Sequence, residues 1–380
     1  LTYKKLIPID MKKIVDVNAH LHTPYSFSAF KDIGQAVGMA ASEGVRVVGI
    51  NDFYSMDGYK EWDEECSKKR LYPLFNIEFI SLNAEDQKAG LRVNDPNNPG
   101  RTYLSGKGLA YPVKLSGKEA RMLSDVRRES NAQVEKMCAK LNDHLDEVKA
   151  GFRIDFRKLT EELTKGLVRE RHLAKGLRLE VDAVAKTDAD KLGIYERIFS
   201  GNPLKAPLSD VAAVENEIRS KLLKAGGAAF VPEDPKAFLP METVQEIITA
   251  AGGIPTYPFL ADNAKGEFTD FEADLQKAAD TLRRRGIRSV EFITTRNTTA
   301  VLEQYAGFLT DEGFIVTFGS EHNTPAMEPI KLRTRDHAEG LSERLREINF
   351  HGACCVAAHQ EGLASAEEGE EAILKRIENS

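Results

Sequence analysis

His20 and His22, in "VDVNAHLHTPYSFSAF" (15–30), stand one residue apart at the end of an apolar run. On a strand, residues i and i+2 share a face, so both imidazoles point one way and Leu21 the other. Two imidazoles on one face can grip a divalent metal, which needs three or four nitrogen or oxygen donors converging from separate elements. Carboxylates in other strands could complete the set: Glu78 in "YPLFNIEFISL" (72–82) and Glu321 in "GFIVTFGSEHN" (313–323). His20, His22, Glu78 and Glu321 are therefore candidate ligands for one divalent ion, Zn, Mn or Fe. Such an ion lowers the pKa of water and polarises a scissile group, which is hydrolytic chemistry. The alternative is a hydrogen-bonded pair of core histidines, with Glu78 paired to Arg or Lys because a lone buried carboxylate is costly.

Other residues could serve the same site. Asp52 ends "VRVVGINDF" (45–53); it either orients an imidazole or caps the next helix, and is a candidate proton shuttle. His322 is a candidate general acid or base, because an imidazole titrates near neutral pH; otherwise it caps loop backbone. Tyr257 either donates to a substrate oxyanion or packs. Arg296 ends "RSVEFITTRN" (288–297) and suits an anionic substrate, or pairs with Glu78 or Glu321. Arg101 and Lys107 lie in a Gly/Pro/Asn-rich stretch, 94–112, read as a loop that could contact phosphate. That stretch lacks the Gly-Lys-Ser/Thr of a P-loop. His172, in "RERHLAKG", reads as a solvated residue of a charged helix.

The elements that must position these groups are short apolar runs bounded by Gly, Pro, Asp or Asn, each read as a buried strand. They cover 13–22, 45–53, 72–82, 252–260, 288–297 and 313–323. Helical patterns separate most of them. "DFEADLQKAADTLRRRG" (270–286) carries acids early and arginines late, as the helix dipole prefers. Alternation of strand and helix implies a parallel α/β sheet. From about 115 to 225 strand-like runs nearly vanish, and charged helical patterns replace them; this reads as a helical insertion.

Composition narrows the function classes. The chain has 380 residues, 42% hydrophobic and 29% charged, with net charge −7. That balance argues against nucleic-acid binding, which needs a basic surface. Four cysteines without a Cys-x-x-Cys pair fit neither a disulfide scaffold nor a zinc cluster, so a reducing, cytoplasmic setting is expected. No apolar run reaches the ~20 residues needed to span a bilayer. The chain begins at Leu1, and Met11 is a candidate start.

Five motifs in order resemble the PHP (polymerase and histidinol phosphatase) family: "NAHLHTPYSFSAF", "GINDFYS", "FNIEFISL", "AAGGIPTYP" and "TFGSEHN". They cover the first ~80 residues and roughly 240–325. The resemblance implies a distorted seven-stranded (β/α) TIM-like barrel and phosphoesterase chemistry on several metals. The departures matter as much. Phe27 or Ser28, Phe53, Tyr257 and Asn323 stand where the family carries metal ligands, and Glu321 replaces an Asp. Only the ligands matching one metal remain.

The expected architecture is thus α/β: a barrel from 1–93 and 227–350, a loop plus helical insertion over 94–226, and a C-terminal helix or tail over 351–380. The expected function is metal-dependent hydrolysis of a small, anionic substrate. Two alternatives stand: a single-metal enzyme resembling the amidohydrolases or acting on sugar acids, and a degenerate scaffold without metal. The expected partner is a small molecule, with a homo-oligomer left open and no nucleic acid or membrane.

Overall fold

The structure is a computed structural model, and it describes residues 13–379 other than 233 and 264. The candidate start at Met11 lies outside the described residues. Eight strands form one sheet: β1 (Asp16–Leu21), β2 (Val45–Phe53), β3 (Tyr72–Leu82), β4 (Arg101–Lys107), β5 (Leu239–Pro240), β6 (Ile254–Phe259), β7 (Ser289–Ile293) and β8 (Ile315–Gly319). Seven of them follow the order β1-β2-β3-β4-β6-β7-β8, and the two-residue β5 pairs with β3 off that path. β4 runs antiparallel to both neighbours, and the other pairs on the path are parallel.

The sheet nearly closes on itself. The amides of Ser320 and Glu321 donate to the His20 carbonyl, and the His22 amide donates to the Glu321 carbonyl. Gly319 makes this seam feasible: a Cβ there would collide with the Cβ of His20. The result is a distorted, mixed-strand relative of a TIM barrel. Helices cover its outside, among them Ile33–Ser42, Tyr59–Lys69, Leu275–Arg284 and Thr299–Asp311. Leu275–Arg284 shows why the pattern works locally. Asp274 caps its first turn, Arg283 and Arg284 close its last, and Ala278, Ala279 and Leu282 face the core.

The stretch expected as loop over 94–112 contains β4, a full member of the barrel wall. "RTYLSGK" has no apolar run, so its place in the sheet is fixed by its neighbours rather than by its own pattern. The tail is also ordered: helix Ala366–Asn379 packs against helix Glu343–Glu361, which itself crosses residue 351.

The helical region holds Gly117–Glu147, Phe156–Leu163, Glu170–Val184, Asp188–Ile198 and Val211–Ile218. It has its own apolar cluster, built from residues such as Leu141, Leu145, Leu177, Val181, Tyr195 and Ile218. The 31-residue helix Gly117–Glu147 joins the two bodies. Its early residues Leu123 and Val126 pack in the barrel core, while Val134 to Leu145 belong to the insertion.

Candidate metal centre

The barrel interior is polar by strand alternation. β1 contributes Asn18 and His20, β3 Asn76 and Glu78, β4 Ser105 and Lys107, and β7 Ser289 and Glu291, all buried. Such groups are tolerated only when they satisfy one another.

Glu291 organises this network. Its Oε2 lies 3.0 Å from His20 Nδ1 and 2.6 Å from Lys107 Nζ, and its Oε1 accepts from Ser105 Oγ at 2.5 Å. Lys107 also donates to Ala19 O and Asn51 Oδ1. Burial and then the Lys107 and His20 charges act on Glu291 in opposite senses; the charges win and hold it well below the usual carboxylate range. Burial works against a charged His20, but Glu291, with Glu78 in support and Lys107 opposed, raises it to about 9. The carboxylate at Nδ1 fixes the imidazole so that Nε2 faces inward.

His22 is fixed by a different route. Ser26 Oγ donates to Asp52 Oδ1 at 2.6 Å and lies 3.1 Å from His22 Nδ1. A hydroxyl has one proton, so Ser26 accepts from Nδ1, which leaves Nε2 bare. Asp52 thus orients His22 through Ser26. Its oxygens also accept from the Thr23 amide and hydroxyl. Burial pushes Asp52 up, while His22, Ser26 and Thr23 hold it down in part. Every one of these contacts is internal, and Asp52 is buried and does not line the cavity, so the structure does not place it where a shuttle would meet substrate.

The two Nε2 atoms meet Glu78. They are 3.2 Å from each other, and Glu78 Oε2 lies 3.0 Å from His22 Nε2 and 3.6 Å from His20 Nε2. Among the described residues these three form the only group of His, Cys, Asp and Glu donors close enough to share an ion. Tetrahedral donors about 2.1 Å from an ion stand roughly 3.4 Å apart, close to this triangle. Glu78 Oε2 is buried, and it has no hydrogen bond of proper geometry despite its two imidazole neighbours. Three donors this close together fit a metal that displaces the proton of His20 Nε2 and the Asn51 amide 3.0 Å from it, and His₂Glu with an open position is a donor set of catalytic centres. Burial raises Glu78, but His20 and His22 override that and bring it to about 2.

The remaining expected residues are placed as follows. Glu321 is outside the donor triangle; its Oε2 pairs with Arg296 Nη2 at 2.6 Å, on the wall of the cavity above Glu78. Glu321 and His322 both have left-handed backbone, φ 65° and 57°, an unusual pair that turns their side chains apart. His322 is buried against Phe30, with Nδ1 at Ser320 Oγ and Nε2 at the Glu328 carbonyl, so it does not face the cavity. Tyr257 donates to Glu272 at 2.7 Å inside the core, away from any substrate. Lys107 is fully buried on Glu291, so it cannot bind phosphate at the surface. Arg101 does line the cavity, paired with Asp95 and lying over Phe238. His172 is buried, not solvated: its Nδ1 accepts from the Arg169 amide and its ring meets Phe27 edge-on.

The cavity has a volume of about 540 Å³ and is walled by both bodies. Glu78, Arg296, Glu321 and Asn323 come from the barrel, and Arg169, Glu170, Arg171, Arg219 and Lys224 from the insertion side. Sequence reasoning missed Glu291, Ser26 and the insertion arginines. For Glu291 a signal existed, a lone acid inside the apolar run "SVEFI".

No protein-family model matches the chain, and no curated protein sequence does. Among solved structures, the chain is similar to one from Bifidobacterium adolescentis described as a "putative metal-dependent phosphoesterase" (TM-score 0.55, 17% identity, covering 87% of this chain and 94% of that one). It is also similar to an amidohydrolase from Chromobacterium violaceum with bound sulfate and no metal (TM-score 0.54, 15% identity, covering 83% and 93%). These likenesses show the fold. No helix among the described residues is long and apolar enough to cross a membrane.

Proposed function

We propose that the protein is a metal-dependent hydrolase of a small, anionic substrate, with phosphoester cleavage as its reaction class. One observation carries the reading: the buried His20–His22–Glu78 triangle reaches, through Glu78, the wall of a cavity rich in arginine. A divalent ion (Zn, Mn or Fe) held there would supply Lewis-acid polarisation and a more acidic water. The residues of the chain do the rest. Glu291 and Ser26–Asp52 hold the two imidazoles so that Nε2 of each faces Glu78. Arg296 holds Glu321 against the cavity, where that carboxylate can take a proton from the attacking water. The arginines neutralise and orient the anionic substrate. The phosphoesterase likeness supports this reading. The amidohydrolase likeness and the single donor triangle favour a second one, C–N hydrolysis at the same centre.

The test is metal stoichiometry by elemental mass spectrometry, followed by assay of phosphate esters and amides. About one ion per chain, absent from His20→Ala/His22→Ala, with ester hydrolysis that needs the ion, is the expected result. An ion with amide cleavage alone selects the second reading. Metal-free protein after growth in metal-supplemented medium overturns both.

A further inference from the structure

Among the described residues, the cavity is lined by more cations than carboxylates, and the excess is on the insertion side. Arg101 pairs with Asp95, Arg296 with Glu321, and both Arg219 and Lys224 with Glu170. Arg169 and Arg171 are left. Among the described residues neither has an ion-pair partner; Arg171 donates only to the neutral Asn216.

What holds these two instead is aromatic. The Arg169 guanidinium lies 4.6 Å from the centre of the Phe53 ring, and Arg171 lies 5.8 Å from that of Phe27. Phe53 in turn stacks on the His22 imidazole, with centres 5.0 Å apart. Both rings line the cavity, as do both arginines. A guanidinium over a ring keeps its donors in its own plane, pointing past the ring edge and open to an oxyanion. The rings thus hold two guanidiniums on the cavity wall while leaving most of their hydrogen bonds unspent, the one to Asn216 excepted. Burial, then the Arg219 charge, pulls Arg171 down to about 10 against the nearby Glu170 and Glu321 carboxylates; an anion beside it would offset that pull.

We infer that Arg169 and Arg171 form an anion-binding subsite on the insertion side of the cavity that takes a phosphate-class dianion of the substrate. The assignment rests on the cavity being the substrate site, and it gives the helical insertion a part in recognition. Two unpaired cations match a dianion in charge, and paired in-plane donors match its oxygens better than an ammonium would.

The experiment is calorimetric titration of inorganic phosphate into the full chain at low ionic strength after metal chelation, so that the reading does not depend on the ion. Phosphate should bind the metal-free wild type. It should bind Arg169→Gln/Arg171→Gln about tenfold more weakly or worse. Arg157→Gln/Lys158→Gln, an equal charge change on an exposed helix of the insertion, should bind as wild type does. Thermal melts check folding, and Arg171→Gln alone repeats the test should the double variant unfold. Equal phosphate affinity in wild type and the arginine variants overturns the subsite, as does absence of phosphate binding by wild type. Failure of the hydrolase reading shows instead as missing metal, which this titration does not touch.

Discussion

His20 in the barrel and His172 in the insertion are both buried, and their surroundings drive them in opposite directions. His20 faces Glu291 and Glu78 and rises to about 9. Burial, with Lys175 and Arg169 nearby, brings His172 down to about 3, and the ring serves as an acceptor for the Arg169 amide. The barrel balances its buried charges among themselves, Lys107 against Glu291 and the imidazoles against Glu78. Among the described residues, the insertion face leaves two arginines without an ion-pair partner and sets them over rings. A balanced interior can position a reactive group but has little left for a ligand; an unbalanced surface is what a ligand can complete.

The largest effect that would break this comparison lies in the barrel. Glu291→Ala leaves Lys107 and His20 buried without their acid, and should cost about 3–5 kcal/mol in denaturant unfolding. A loss under 1 kcal/mol, within the range of surface pairs, would mean that the interior is not a charge-balanced unit.

An intermediate effect should appear on acidification. The unfolded chain protonates His172 near pH 6.5 while the folded chain does not, so its contribution to stability is present above that pH and lost as pH falls toward 3. Between pH 7 and pH 5 the loss should be about 2 kcal/mol. His172→Gln keeps an acceptor for the Arg169 amide and should remove that part of the pH slope. An unchanged slope would place the acid sensitivity elsewhere. Glu272 sharpens the contrast. Burial raises it to about 7, against the Tyr257, Leu260 and Ala261 donors. Its folded form therefore favours the proton, and its share of stability declines as pH rises from about 4.5 through 7.

The smallest effect belongs to the insertion side of the cavity. Arg169→Gln gives up one cation–π contact and no ion pair, so stability should change by less than about 1 kcal/mol. A loss as large as that of Glu291→Ala would show Arg169 to be a structural charge after all.

Much of the centre was legible in the chain. Two histidines at strand spacing, acids in other apolar runs and the resemblance together named His20, His22, Glu78 and Glu321, and the structure brings the first three within reach of one ion. For Asp52 the sequence left three readings, orienting group, helix cap and proton shuttle, and carried no sign of its contact with His22 through Ser26. Glu321 was misplaced because strand position fixes where a backbone ends but not how a left-handed pair then turns its side chains. Lys107 was read as loop because β4 is defined by its partners. Arg169 and Arg171 were out of reach: nothing local ties "RER" to Phe27 and Phe53, more than 100 positions earlier. The barrel emerged from alternating strands and helices together with the resemblance, whereas the antiparallel β4 carries no sign in its own residues.

The seam between β8 and β1 has a consequence for heredity. Gly319 closes the barrel against His20 itself, so the residue that completes the fold also sets the first imidazole in place. A descendant could replace many wall residues and remain a barrel. One that put any side chain at 319 would have to part the seam or shift the histidine, keeping the shape while losing the centre. The glycine that lets the sheet close is thus also what lets His20 stand where it does.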